Sequence, residues 1–259
     1  MADERPASRD PRRTLELLWG RTTRPSRGPK PSLSLAGIVR VAVAIADAEG
    51  MRAVSMRRVA DDLGVTTMSL YRYVPGKDDL VELMMESAVG LPPERDGGGP
   101  GHWRRDLERW ARAQHVLYRR RPWMLQVPIH GPPMGPNNLA WMDSALQALF
   151  EPGLSEGDAL YGLLLLSVYV RGEAQLGLGL AQAEQRTGVT QLERDMVYGG
   201  LIASLRDDPR YPALARLAES GIFEEGDDEP DADFDFGLQR ILDGIETLIR
   251  ERGSPTLAR

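Results

Sequence analysis

Between Ser55 and Met84 the chain reads SMRRVADDLGVTTMSLYRYVPGKDDLVELM, three helix-forming segments separated only by LGV and VPG. This crowding leaves few folds open. Short helices do not stand alone in water, because nucleating a turn fixes several backbone dihedrals for a single hydrogen bond. These must therefore brace one another around a shared apolar centre. Ser55 caps MRRVADDL, whose Val59 and Leu63 share a face, and Gly64 follows where a left-handed residue ends a helix. Thr66 caps TMSLYRYV, and PGK closes it. Lys77 or Asp78 opens the next segment, with Leu80, Leu83, Met84 and Ala88 one turn apart. Upstream, Ser34 caps SLAGIVRVAVAIADAE, striped by Ile38, Val41, Ala42 and Ile45 and stopped at Gly50.

Two short helices joined by a tight glycine turn, with a longer helix on each side, make the plan of a helix-turn-helix. Its second helix must be slim and polar at its leading end to enter a major groove about 12 Å wide. Leu70 and Val74 would pin its back. Thr67, Met68 and Ser69 lie at the leading end, suited to base edges and thymine methyls, and Arg57 stands where a bidentate arginine reaches guanine. Tyr71, Tyr73 and Lys77 lie where a phosphate backbone would pass, and the helix start at Ser55 offers further anion donors. Arg58 is read instead as a partner of Asp61 or Asp62 one helical turn away.

Charge agrees with a polyanion at one end. Residues 1–77 carry 14 Lys+Arg against 8 Asp+Glu, or +6, leaving 18 against 30, or −12, on the remaining 182 residues. The first 31 residues, rich in Pro, Ser and Arg, read as a flexible basic arm with a short helical turn at RTLELLWG. Arg21, Arg24 and Arg27 are its candidate contacts to a neighbouring minor groove, and deleting residues 1–28 is expected to weaken DNA binding and flatten its salt dependence. With no cysteine, disulfides, thiol catalysis and thiolate metal sites are excluded. The three histidines lack ligand spacing, so no metal and no cofactor are expected. No uninterrupted apolar run reaches the roughly 18 residues of a membrane span, and the N-terminus is charged, which points to a cytoplasmic protein without a membrane partner. Phosphate-loop, GxSxG and HExxH motifs do not occur, so an enzyme is not expected.

Beyond the DNA-binding segment (32–90), GLPPERDGGGPGH marks a junction, and residues 102–259 again show only helical patterning. The fold class is all-α: a three-helix helix-turn-helix head and a larger helical ligand-binding and dimerisation body. DALYGLLLLSVYVRGEAQLGLGLAQ is apolar on almost every side in its first half and must be buried centrally; TQLE at 190–193 has capping-box spacing. Large side chains concentrate between residues 103 and 169. Trp110, Tyr118, Trp123, Met134, Trp141, Met142 and Tyr169, interleaved with Gln114, His115, Gln126, His130, Asn137, Asn138 and Gln175, have the mixture of a mainly apolar pocket with a few orienting polar groups. Any one of these aromatics is, taken alone, as well explained by core packing.

The stretch Ser55–Met84, with its order of small-capped helix, A..LGV, then LY.Y...K..L, resembles the DNA-binding domain of TetR-type transcriptional repressors. RRPWM, GPNNLAWMDSAL and the long apolar helix resemble, more loosely, the C-terminal domain of the tetracycline-repressor subgroup. The resemblance implies base-reading roles for Arg57, Thr67, Met68 and Ser69 and backbone-gripping roles for Ser55, Tyr71, Tyr73 and Lys77. It further implies a homodimer on double-stranded operator DNA and a small hydrophobic or aromatic, antibiotic-like effector that releases it, often with an exporter gene under control. The alternative is a constitutive architectural DNA-binding protein with no effector.

Overall fold

The computed structural model describes residues 11–21, 33–95, 101–222 and 231–253, and among them the regular structure is entirely helical. The head comprises α2 (Leu35–Glu49), α3 (Met56–Asp62), α4 (Thr67–Tyr71) and α5 (Lys77–Val89). Its starts and stops follow the sequence. The hydroxyls of Ser34, Ser55 and Thr66 accept the backbone N–H groups of Gly37, Arg58 and Ser69, each satisfying a donor that a helix start leaves without an intrahelical partner. Gly64, at φ +66, makes the turn between α3 and α4. Ile38, Ala42, Val59, Leu70, Val74, Leu80 and Met84 converge into one apolar core.

The body comprises α6 (Trp103–Arg120), α7 (Pro136–Phe150), α8 (Glu156–Thr187), α9 (Gln191–Ser204), α10 (Pro212–Glu219) and α11 (Ala232–Gly253). α8 is the central helix, packed against α6, α7 and α11. It is long and apolar enough, by length and composition, to cross a bilayer, which reading for uninterrupted apolar runs did not register. Leu107, Leu149, Leu166, Leu238 and Leu242 form the second core. Around it Arg104 of α6 pairs with Asp243 of α11 at 2.6 Å, and Arg112 with Asp235 at 2.5 Å.

Two expectations need correction. The helical turn expected at RTLELLWG is a docked helix and not part of a loose arm: Pro11–Leu18 forms α1, which packs on α5, buries Leu17 in the head core and places the Thr14 hydroxyl 2.7 Å from Asp79. Arg24 and Arg27 lie outside the described residues. The junction, too, is less clean than its Pro/Gly content suggests. The 3-10 turn Pro122–Gln126, downstream of it, inserts Trp123 and Met124 into the core of the head. Trp123 Nε1 donates to Asp47 of α2 at 2.6 Å, while Arg121 reaches Asp47 and the carbonyl of Ala88. Arg95, just past α5, bridges Asp106 of α6 and Glu151 after α7. Burial opposes its charge, but the two carboxylates outweigh that cost and hold its pKa above the ordinary arginine value.

Candidate functional site

Two features stand out, an exposed short helix before α5 and a cavity along it. The short helix, α4, is five residues long and is fixed from behind by the fully buried Leu70 and Val74. Its other side is open. Met68 is 72% exposed and Tyr71 is exposed, while the Ser69 hydroxyl lies 3.0 Å from that of Thr66, which orders the helix tip. Arg57 projects from the first turn of α3 with its side chain 87% exposed and only a loose 3.8 Å approach to Asp61. Arg58 differs sharply: it bonds Glu49 in bidentate fashion at 2.8 and 2.9 Å and Asp62 at 3.0 Å, which raises its pKa. Arg58 is thus a partner of Asp62, as its one-turn spacing implies, and of Glu49 besides. The Ser55 hydroxyl is occupied as a helix cap, Tyr73 is half-buried against the head core, and Lys77 opens α5 in solvent. Arg21, last of the first described stretch, lies over the Trp19 ring at 5.3 Å.

Along α5, from Lys77 and Asp78 at its start to Glu86, a cavity of about 2260 Å³ lies between head and body. Trp110, Gln114 and Tyr118 of α6 line it, as do Met134 and the α7 residues Asn138, Trp141 and Met142. The two tryptophans pack edge to face with centroids 5.7 Å apart. Their N–H groups are satisfied internally, Trp110 by the carbonyl of Trp141 and Trp141 by that of Gly90, so they present ring and not donor to the cavity. Trp123 and Tyr169 do not line it. The first is 2% exposed inside the head core, and the second donates its hydroxyl to the carbonyls of Asp233 and Phe234, which ties α8 to α11. Tyr169 also fills the space a side chain at Gly237 would need. Burial, followed by the nearby Glu173 carboxylate, raises its pKa.

Sequence reasoning missed three contributors. Ser167, Arg171 and Gln182 join the expected Gln175 in a polar stripe on the cavity side of α8, and their helical spacing was visible within an otherwise apolar run. Arg171 donates to the carbonyls of Leu125 and Val127, and its guanidinium sits 5.9 Å from the Tyr118 ring centre. Glu86 of α5 is the second. Its buried carboxylate accepts the backbone N–H groups of Asn137 and Asn138 and, at 2.7 Å, Asn138 Nδ2, while Asn137 Nδ2 donates back to its carbonyl at 2.9 Å. An anion at a helix start meets both the unpaired N–H groups and the positive end of the helix dipole. Gly135 completes the cradle, since a Cβ there would overlap the carboxylate. No sequence pattern pairs residue 86 with residues 135–138. The third is Leu18 of α1, which also lines the cavity. Among the described residues no His, Asp and Glu cluster could hold a metal ion.

A helix-turn-helix head joined through one helix to an all-helical body with a large cavity defines a class of DNA-binding regulator. The chain belongs to the TetR family: residues 38–84 match the bacterial regulatory proteins of the tetR family, and residues 96–249 match the tetracyclin repressor-like C-terminal domain. It is 45% identical to the HTH-type transcriptional repressor DrrR1 of Streptomyces coeruleorubidus over 96% of this chain and 90% of that one. Identity to the class C tetracycline repressor protein of Escherichia coli is 27%, over 82% and 90% of the two chains. ActR of Streptomyces coelicolor in complex with actinorhodin superposes with a TM-score of 0.68 at 28% identity, covering 86% of this chain and 99% of that one. The family and these relatives are transcriptional regulators, and the chain is a TetR-family repressor, not an enzyme.

Proposed function

We propose that the chain is a cytoplasmic, homodimeric repressor that leaves its operator when a flat, multi-ring, mainly apolar molecule occupies the cavity, and that the gene it controls encodes an exporter of that molecule. Arg57, Thr67, Met68 and Ser69 read bases, and Tyr71, Tyr73, Lys77 and the α3 start at Ser55 grip phosphates. Arg21, Arg24 and Arg27 extend the contact. Trp110, Gln114, Tyr118, Met134, Asn138, Trp141 and Met142 hold the effector.

The observation that carries this reading is the Glu86 cradle. Glu86, Asn138 and Trp141 all line the cavity, yet Glu86 belongs to the helix whose other end supports α4. A ligand that pulls the start of α7 changes the position of α5, and with it the separation of the paired recognition helices. Two half-sites demand roughly 34–36 Å between them, so differential affinity for two separations is enough to release DNA. The ligand chemistry of ActR, solved with actinorhodin and with (S)-DNPA, supports an aromatic effector. A constitutive architectural protein has no use for a cavity of this size.

Support for the dimer comes from α8. Tyr161, Leu165 and Leu176 are exposed at helical spacing outside the cavity, an apolar face unmatched within one chain. Replacing Thr67, Ser69 and Tyr71 by alanine is expected to abolish binding to the chain's own promoter in fluorescence anisotropy. Adding actinorhodin should raise the melting temperature and release the fragment, a ligand at a hundred times its Kd adding about 2.7 kcal/mol. Operator binding that survives the triple substitution would sink the reading.

A further inference from the structure

Leu18 and Trp19 end the N-terminal helix where two walls of the cavity meet. Leu18 faces the cavity, and Trp19 Nε1 donates a 3.0 Å hydrogen bond to the carbonyl of Met134. Met134 belongs to the segment Pro128–Gly135, every residue of which lines the cavity. Three of those eight residues are prolines and two are glycines. Prolines carry no N–H, so such a segment makes few hydrogen bonds of its own and depends on ties from outside. The indole of Trp19 supplies one. At its other end α1 is held to the head, through the buried Leu17 and the Thr14 bond to Asp79 in the first turn of α5. A segment anchored to the DNA-binding head thus reaches across to the loosest wall of the cavity.

We propose that α1 belongs to the effector site: Leu18 is a ligand-facing residue, and the Trp19–Met134 bond is a latch that gates entry and exit. This rests on the cavity being the effector site. A gate differs from a wall in its kinetics. Weakening a wall that touches the ligand speeds exit alone, whereas opening a latch speeds entry and exit together and leaves affinity nearly unchanged. Trp19 is 42% exposed and is tied to the loop through its indole N–H, which suits an element that opens far more readily than the core unfolds. Arg21 over the Trp19 ring links the latch to the basic residues that follow.

The test uses the full chain and the variant Trp19→Phe, which keeps an aromatic ring and removes the donor. Without ligand, hydrogen–deuterium exchange is expected to rise together in residues 12–21 and 128–135. In stopped flow, 1-anilinonaphthalene-8-sulfonate, a dye that brightens in apolar cavities, should enter and leave about three- to tenfold faster, the factor carried by one ordinary hydrogen bond. Unchanged exchange at 128–135, or faster exit with unchanged entry, overturns the gate while normal dye affinity leaves the cavity reading standing. A dye that does not bind the intact protein, or is not displaced by actinorhodin, counts against the cavity as a ligand site and removes the gate with it.

Discussion

Trp123 and Tyr169 show what a residue's type reveals about its role and what it does not. Both have the ring and the polar handle expected in a ligand pocket, but each spends its polar atom inside the protein, Trp123 on Asp47 and Tyr169 on two carbonyls at the start of α11. Trp123→Ala is expected to cost about 3–5 kcal/mol of stability in urea denaturation, the usual range for a buried aromatic, although the residue touches neither DNA nor cavity. Glu86 is the opposite case, an acidic residue that the fold buries against the start of α7. Glu86→Ala strips the start of α7 of its acceptor, and one or more buried donors left unmet cost about 1–3 kcal/mol. Operator affinity should change less than the response to effector does, measured as anisotropy with and without actinorhodin.

Among elements, the head was legible almost to the residue because short-range chemistry dictates it. Caps at Ser34, Ser55 and Thr66 and the left-handed Gly64 are local facts, and the structure realises each of them. Gly64 has nothing within 4 Å of the position a Cβ would take, so Gly64→Ala tests backbone strain alone. A destabilisation of about 1–2 kcal/mol is expected by thermal melting. The helix order of the body was legible too, including the capping box of Thr190 and Glu193. The Glu193 carboxyl is held below its ordinary pKa by the backbone N–H and then the hydroxyl of Thr190. A depressed carboxylate stabilises fully above its unfolded pKa, and that stabilisation disappears as pH falls through the folded value. Amide protection at the start of α9 should accordingly fade on acidification below about pH 4.3, the ordinary Glu value. What stayed illegible were meetings across long sequence distances: Glu86 with 135–138, Trp19 with Met134, Trp123 with Asp47. Helical periodicity says which face is buried, not what buries it: the helical turn at RTLELLWG was legible, its docking on α5 was not.

For the whole molecule, charge and apolar surface set the assembly. The basic head and acidic body confine the polyanion to one end, while the apolar face of α8 calls for a second copy. Leu165, 55% exposed on that face and outside the cavity, offers a direct check. Leu165→Asp is expected to shift sedimentation velocity from dimer to monomer and to abolish cooperative operator binding without unfolding the chain. The basic arm needs a gentler probe than truncation at residue 28, because such a cut also removes α1 and its buried Leu17 and Thr14. Arg24→Ala with Arg27→Ala spares them, and the slope of log affinity against log salt should flatten by about 0.9 for each phosphate that is no longer neutralised.

Trp123 and Met124 give the molecule a property that matters to anyone building sensors from it. Because they sit downstream of the linker yet complete the core beneath α2 and α5, a cut after Arg95 would leave that core with a hole the size of an indole. A chimera that grafts this reading head onto a foreign receptor body must carry the 122–127 segment along, or supply a substitute of the same shape.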